Sequence, residues 1–147
     1  KSGELAASVR LIHQSTFGFP IEKHFHLSLD IPEEKKQHVV EISRLIVAKR
    51  YRKRFLLLAL IKGMYMYCRH NNITHVYCVL DDQLHGLLTG IGFPLQQIGQ
   101  RTLYQGLTTP YLLEIAEMIE RLEKTNQVLV RYITREERSL KRKFEVH

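Results

Sequence analysis

Residues 39–48 (VVEISRLIVA) place a carboxylate, a hydroxyl and a guanidinium, Glu41, Ser43 and Arg44, inside an otherwise apolar stretch. Its β-branched composition reads as a central strand. Alternation then puts Val39, Glu41, Ser43, Leu45 and Val47 on one face and Val40, Ile42, Arg44 and Ile46 on the other. Charges in such a strand are costly unless each finds a partner. Two readings stay open. One is a structural salt bridge or buried network, with Arg10 as a partner for Glu41. The other is a polar site in which Glu41 accepts or orients a proton.

Directly after this strand come Lys49, Arg50, Arg52, Lys53 and Arg54, and then a run with Leu57, Ile61, Met64 and Cys68 at helical spacing. A strand, a basic loop and a helix start together offer free N–H groups and positive charge to a phosphate. The loop has no glycine, so it is no standard P-loop. Other chemistries find little support. The histidines are scattered, neither HExxH nor CxxC occurs, and no metal is expected. There is no GxSxG, and neither Cys68 nor Cys78 has an evident base, so covalent catalysis is not indicated. Tyr51, Tyr104 and Tyr111 are able to exchange protons, but tyrosines mostly pack and hydrogen-bond.

The elements that must position these groups follow from pattern. Residues 5–12 (LAASVRLI), 39–48 and 75–80 (HVYCVL) read as strands. Residues 13–37 read as mostly irregular, with a turn or one helical turn at 32–36. Residues 55–69 form a helix that Asn71-Asn72 ends, and Asp81-Asp82 caps a second over 83–89. Strands are expected near 95–98 and 101–105. Thr109 followed by Pro110 predicts a helix from 110 to about 124. Residues 128–133 are ambiguous, and a basic tail closes the chain. This order is α/β with a strand–helix–strand crossover at its centre. A ligand belongs at the carboxyl ends of the central strands, where the basic loop lies.

The 147 residues suit one domain, with 44% hydrophobic and 25% charged residues as in ordinary globular chains. The longest apolar run is far shorter than a bilayer span. The two cysteines fall in core elements, which fits a reducing cytoplasm rather than a disulfide framework. The net charge of +7 is clustered at 49–54 and in the tail from Arg135, which suits either polyanion partners or simply solvated faces. The chain opens on Lys1, and a segment upstream is expected.

Ser8-Val9-Arg10-Leu11, followed about thirty residues later by Glu41-x-Ser43-Arg44, resembles the acyl-homoserine-lactone synthases. The chain to about Thr134 is still more similar to exosortase (PEP-CTERM)-associated acyltransferases and N-acyl amino acid synthases. The matching stretches are FPIEKH at 19–24, VEISRLIVAKRYRKR at 40–54, ITHVYCVLDDQLHGLLTGIGFPLQQIG at 73–99 and YQGLTTPY at 104–111. The resemblance implies a GNAT fold over 1–134, a mixed central sheet with splayed parallel strands flanked by helices, and then the tail 135–147. It implies an enzyme in which an amine attacks a fatty acyl thioester directly, with no tightly bound cofactor. The donor would be coenzyme A or the phosphopantetheine of an acyl carrier protein.

On that mapping the strands 39–48 and 75–80 form the cleft, with Glu41, Ser43 and Arg44 in catalysis and Arg10 at the acceptor. Val47, Lys49, Arg50, Arg52, Lys53 and Arg54 would receive the donor phosphates. Leu56, Leu60, Met64, Met66 and Leu87 would either line an apolar tunnel for the acyl chain or be ordinary core. Two departures stand out. The chain has no Trp where the lactone synthases carry one upstream, and it lacks the usual GNAT Arg/Gln-x-x-Gly-x-Gly/Ala. The acceptor would be an amino acid or similar amine. Lactone synthesis from S-adenosylmethionine is the runner-up, and a non-catalytic nucleic-acid-binding module is an alternative of another class, although no nucleic-acid-binding motif occurs.

Overall fold

The apolar strands pair into one mixed sheet. The computed structural model describes residues 3–13, 16–51 and 54–137. β1 (Ala7–His13) runs antiparallel to β2 (Val39–Val47), and β2 runs parallel to β3 (His75–Leu80). β6 (Leu107–Glu114) lies antiparallel to β3 and carries the short strands β4 (Gln96–Gln97) and β5 (Thr102–Leu103) on its far side. The spatial order is β1-β2-β3-β6-β4, with β5 also on β6.

Between β2 and β3 the chain crosses over through α2 (Arg54–His70), whose Leu57, Ile61, Tyr65 and Cys68 are buried along one stripe. Asn72, at φ 55°, turns the chain out of the helix, a conformation asparagine tolerates better than most residues. α3 (Asp82–Ile91) starts on Asp81, whose side chain accepts from the Leu84 N–H at 2.7 Å. It stops at Gly92, whose φ of 113° suits glycine.

One expected helix is replaced by a strand. Residues 107–114 are β6, and the helix α4 runs only over Ile115–Thr125. Thr108, Thr109, Tyr111 and Leu112 are buried between flanking strands, where β-branched and aromatic side chains pack well. Pro110 is tolerated because its carbonyl accepts from Ile98 N–H on the β4 side, so its missing N–H also falls on that side. The ladder to β3 loses nothing. The ambiguous residues 128–133 are helical, within α5 (Gln127–Ile133), capped by Asn126.

The sheet has two unlike faces. On one, α2, α4 and α5 pack Leu57, Ile61, Met118, Leu122, Val130 and Ile133 against the strands. On the other, residues 16–38 lie across the sheet and pack Phe19, Ile21, Phe25 and Ile31 onto Val39, Tyr77, Ile98 and Leu112. This segment holds α1 (Pro20–His24) and a 3₁₀ helix over Glu33–His38, at the place of the expected turn or helical turn.

Candidate active site

β2 and β3 pair only from Val39↔His75 to Ile42↔Cys78. Beyond that point β3 stays with β6, through Val79↔Pro110 and Leu80↔Thr109. β2 stays with β1, through Ser8↔Ile46 and Ala7↔Val47. The two parallel strands therefore part after Ile42 and Cys78, as the resemblance implies for a GNAT sheet.

A β-bulge marks the parting. From Ser8 to Arg10 in β1 the partners in β2 run from Ile46 to Ser43, one residue more. Arg44 takes the extra position at φ 51° and is exposed. The strict alternation expected for residues 39–48 thus fails at its middle. Leu45, expected beside Glu41, packs instead with Val40 and Ile42 on the helix-covered face.

Before the bulge the alternation holds. Glu41 is 2% exposed and lies on the face covered by residues 16–38. Its Oε2 accepts from the Ile21 N–H in the first turn of α1, at 3.1 Å. Burial pushes its carboxyl up from the ordinary 4.5 to about 7. The Ile21 N–H and the Arg10 guanidinium partly oppose that shift, and Glu22 adds to it. Both open readings of Glu41 therefore have a footing. It ties residues 16–38 to the sheet, and it is a carboxylate poised near neutrality. The direct salt bridge to Arg10 is replaced by a backbone donor.

Ser43 faces Arg10 across β1 and β2, two residues along from the Glu41↔Ile12 pair, so Arg10, Ser43 and Glu41 share one end of one face. Arg44, at the bulge, is not brought into that group by any described contact. Val47 ends β2 opposite Ala7. A 3₁₀ turn over Lys49–Tyr51 follows, and α2 begins at Arg54. Arg50 is ion-paired with Glu4 and stacks its guanidinium over the Tyr51 ring at 5.5 Å. Arg52 and Lys53 lie outside the described residues, as do the side chains of Lys49 and Arg54. Of the expected tunnel residues, Met64 packs against the main core, whereas Met66 and Leu87 are exposed and line no interior.

Two groups escaped the sequence reading. Tyr77, the register partner of Glu41 on β3, is fully buried on the same face. Glu22, on α1, is ion-paired with Lys36 at 3.0 Å and adds to the field on Glu41. Parallel pairing of the VVEI and HVYC segments was the signal that would have placed Tyr77 beside Glu41. A separate groove of about 550 Å³ lies at the opposite end of the sheet, lined by Thr74, Glu114, Ile119, Glu123 and Glu137 among others. It is remote from the parted strands. Among the described residues no three His, Cys, Asp or Glu side chains gather to hold a metal ion. Among the described helices none is long and apolar enough to cross a membrane.

The family model of the N-acyl amino acid synthase FeeM matches residues 1–116. The chain belongs to that family. Solved structures share its fold. An acyl-homoserine lactone synthase, BjaI, described as CoA-dependent and bound to SAM and isopentyl-CoA, superposes at a TM-score of 0.62 and 15% identity. That match covers 92% of this chain and 60% of BjaI. FeeM itself, an N-acyl amino acid synthase from uncultured soil microbes, gives 0.60 at 12% identity, over 81% of this chain and 66% of FeeM. TofI in its apo form gives 0.62 at 17% identity, over 82% of this chain and 67% of TofI. The chain thus spans about 60% of the length of BjaI. Among curated proteins none matches by sequence.

Proposed function

We propose that the chain catalyses N-acyl transfer, moving a fatty acyl group from a thioester to the primary amine of an amino acid or similar small molecule. The observation that carries this reading is the parting of β2 from β3 directly beyond Glu41. A thioester arm entering between the strands would bring its carbonyl close to a buried carboxylate whose affinity for protons is near neutral. The amine nitrogen bonds to the carbonyl carbon, the carbon–sulfur bond breaks, and the thiolate leaves. Glu41 takes the proton the nitrogen gives up, and Ser43 and Arg10 border the acceptor on the same face. Arg44 completes the catalytic set in this reading. No acyl-enzyme forms, and none of the described residues is needed as a nucleophile.

The donor is an acyl carrier protein or coenzyme A. Lys49, Arg50, Arg52, Lys53 and Arg54, with Val47 at the strand end, would meet its phosphates at the start of α2. The surplus of positive charge there favours an acidic carrier protein. Arg50 would first have to exchange its Glu4 partner for phosphate. Cys68 and Cys78, buried and unpaired with each other, suit work in a reducing cytoplasm.

The test is to supply fatty acyl carrier protein and acyl-coenzyme A thioesters with the common amino acids and to weigh the products. An acylated amino acid supports the proposal. A lactone formed only with S-adenosylmethionine, or no acylated amine with any donor, overturns it.

A further inference from the structure

Tyr77 is a costly choice for its position. The side chain is fully buried, and the ring is fixed by an edge-to-face contact with Phe19 at 5.5 Å and by Ile21, Val39, Ile98 and Leu112. A phenylalanine would fill the same space. Yet among the described residues the hydroxyl has no hydrogen-bond partner. An orphaned buried hydroxyl is a net loss to the fold. Glu22 Oε1, the other such buried oxygen among the described residues, has Lys36 Nζ at 3.0 Å and is not an orphan of the same kind.

The setting of the hydroxyl is specific. Tyr77 is the register partner of Glu41 across the paired half of β2 and β3, and both lie on the face covered by residues 16–38. The charges that act on the hydroxyl are those of Glu22, Lys36, Asp30 and Glu41, three carboxylates against one ammonium. A field of that sign favours a hydrogen-bond donor at the phenolic oxygen. Burial, aided by Glu22, pushes the phenol up to about 12, so it stays neutral and can both donate and accept at working pH.

We propose that the Tyr77 hydroxyl is an acceptor-binding group, kept free within the fold so that its oxygen receives an N–H of the substrate amine held beside Glu41. This rests on the N-acyl-transfer reading and deepens it. Tyr77 fixes the nitrogen, and Glu41 takes its proton. Glu22, held by Lys36, is the outer charge that favours a cationic or donor-bearing acceptor over an anion.

The experiment compares the wild type with Tyr77→Phe in two arms. In the first, thermal melting is followed alone and with each common amino acid as the probe. Tyr77→Phe is expected to melt at the same temperature as wild type or higher when no amino acid is present. The apparent affinity for the amino acid that stabilises wild type is expected to weaken at least tenfold. A lower melting temperature without ligand would show that the hydroxyl serves the fold, and would overturn the proposal. Unchanged affinity, or no saturable binding by wild type, would also overturn it. In the second arm, turnover with an acyl thioester should show KM for the amine raised at least tenfold and kcat changed much less. A fall in kcat with KM unchanged contradicts a binding role. Wild type that binds the amino acid but yields no acylated product sinks the N-acyl-transfer reading, while the first arm still decides Tyr77.

Discussion

The two faces of the sheet are built from the same strands and differ in what they bury. Under α2, α4 and α5 the interior is made almost wholly of aliphatic and aromatic side chains, with Leu122 and Ile133 at or near zero exposure. Under residues 16–38 the same strands bury Glu41 and the Tyr77 hydroxyl, with the Glu22–Lys36 pair close by. A face shaped only by stability would avoid these groups, because each loses hydration without full compensation. On the proposed reading, the helix-covered face supplies stability and the other face keeps polar atoms available for chemistry.

The sharpest way to break this division is Glu41→Gln. The amide oxygen can still accept the Ile21 N–H, so the protein should fold, while kcat for acyl transfer should fall by about 10²- to 10⁴-fold. Product mass spectrometry on folded variant decides it, and retained activity would return Glu41 to a purely structural role. The counterpart on the other face is Leu122→Ala. Leu122 is fully buried between helices and sheet, and the variant should lose about 2–5 kcal/mol in denaturant unfolding. Its KM values should match wild type wherever it remains folded.

Titration sharpens the contrast. The carboxyl of Glu41 is raised on folding from 4.5 to about 7, so the folded state prefers the protonated form. Its favourable contribution is complete below pH 4.5 and is lost as pH rises through about 7. Wild type should therefore lose up to about 3 kcal/mol across that window relative to Glu41→Gln, which lacks this titration. If Glu41 is the base, turnover should rise as pH passes through about 7. The smallest effect is expected at the bulge. Arg44 sits at φ 51°, where glycine is less strained, so Arg44→Gly should be as stable as wild type or up to about 1 kcal/mol more stable. If the guanidinium serves catalysis, activity should fall although stability does not.

Much of this was legible in the residues. The stripe Leu57, Ile61, Cys68 gave α2, Asp81 gave the start of α3, and the apolar runs 39–48 and 75–80 gave the two strands that part. Glu41 stood out because a carboxylate in such a run demands an explanation. What stayed hidden depended on neighbours far away in sequence. Thr-Pro is a good helix start locally, and only burial between β3 and the β4 side makes residues 107–114 a strand. The bulge at Arg44 is set by the register against β1, which no periodicity within β2 reveals. Tyr77 looked like one more strand aromatic until parallel pairing set it beside Glu41. The basic loop stands out by its charge and its place before a helix start, but the sequence does not show that its Arg50 is engaged with Glu4.

The most direct measurement is a crystal structure of the protein with a non-hydrolysable 2-oxoalkyl-pantetheine thioether, which keeps a carbonyl beside the sulfur. The thioether sulfur is expected between residues 43–47 of β2 and Val79–Leu80 of β3, with the carbonyl on the side of Glu41. Density for the thioether elsewhere, with β2 and β3 closed against each other beyond Ile42 and Cys78, would contradict it.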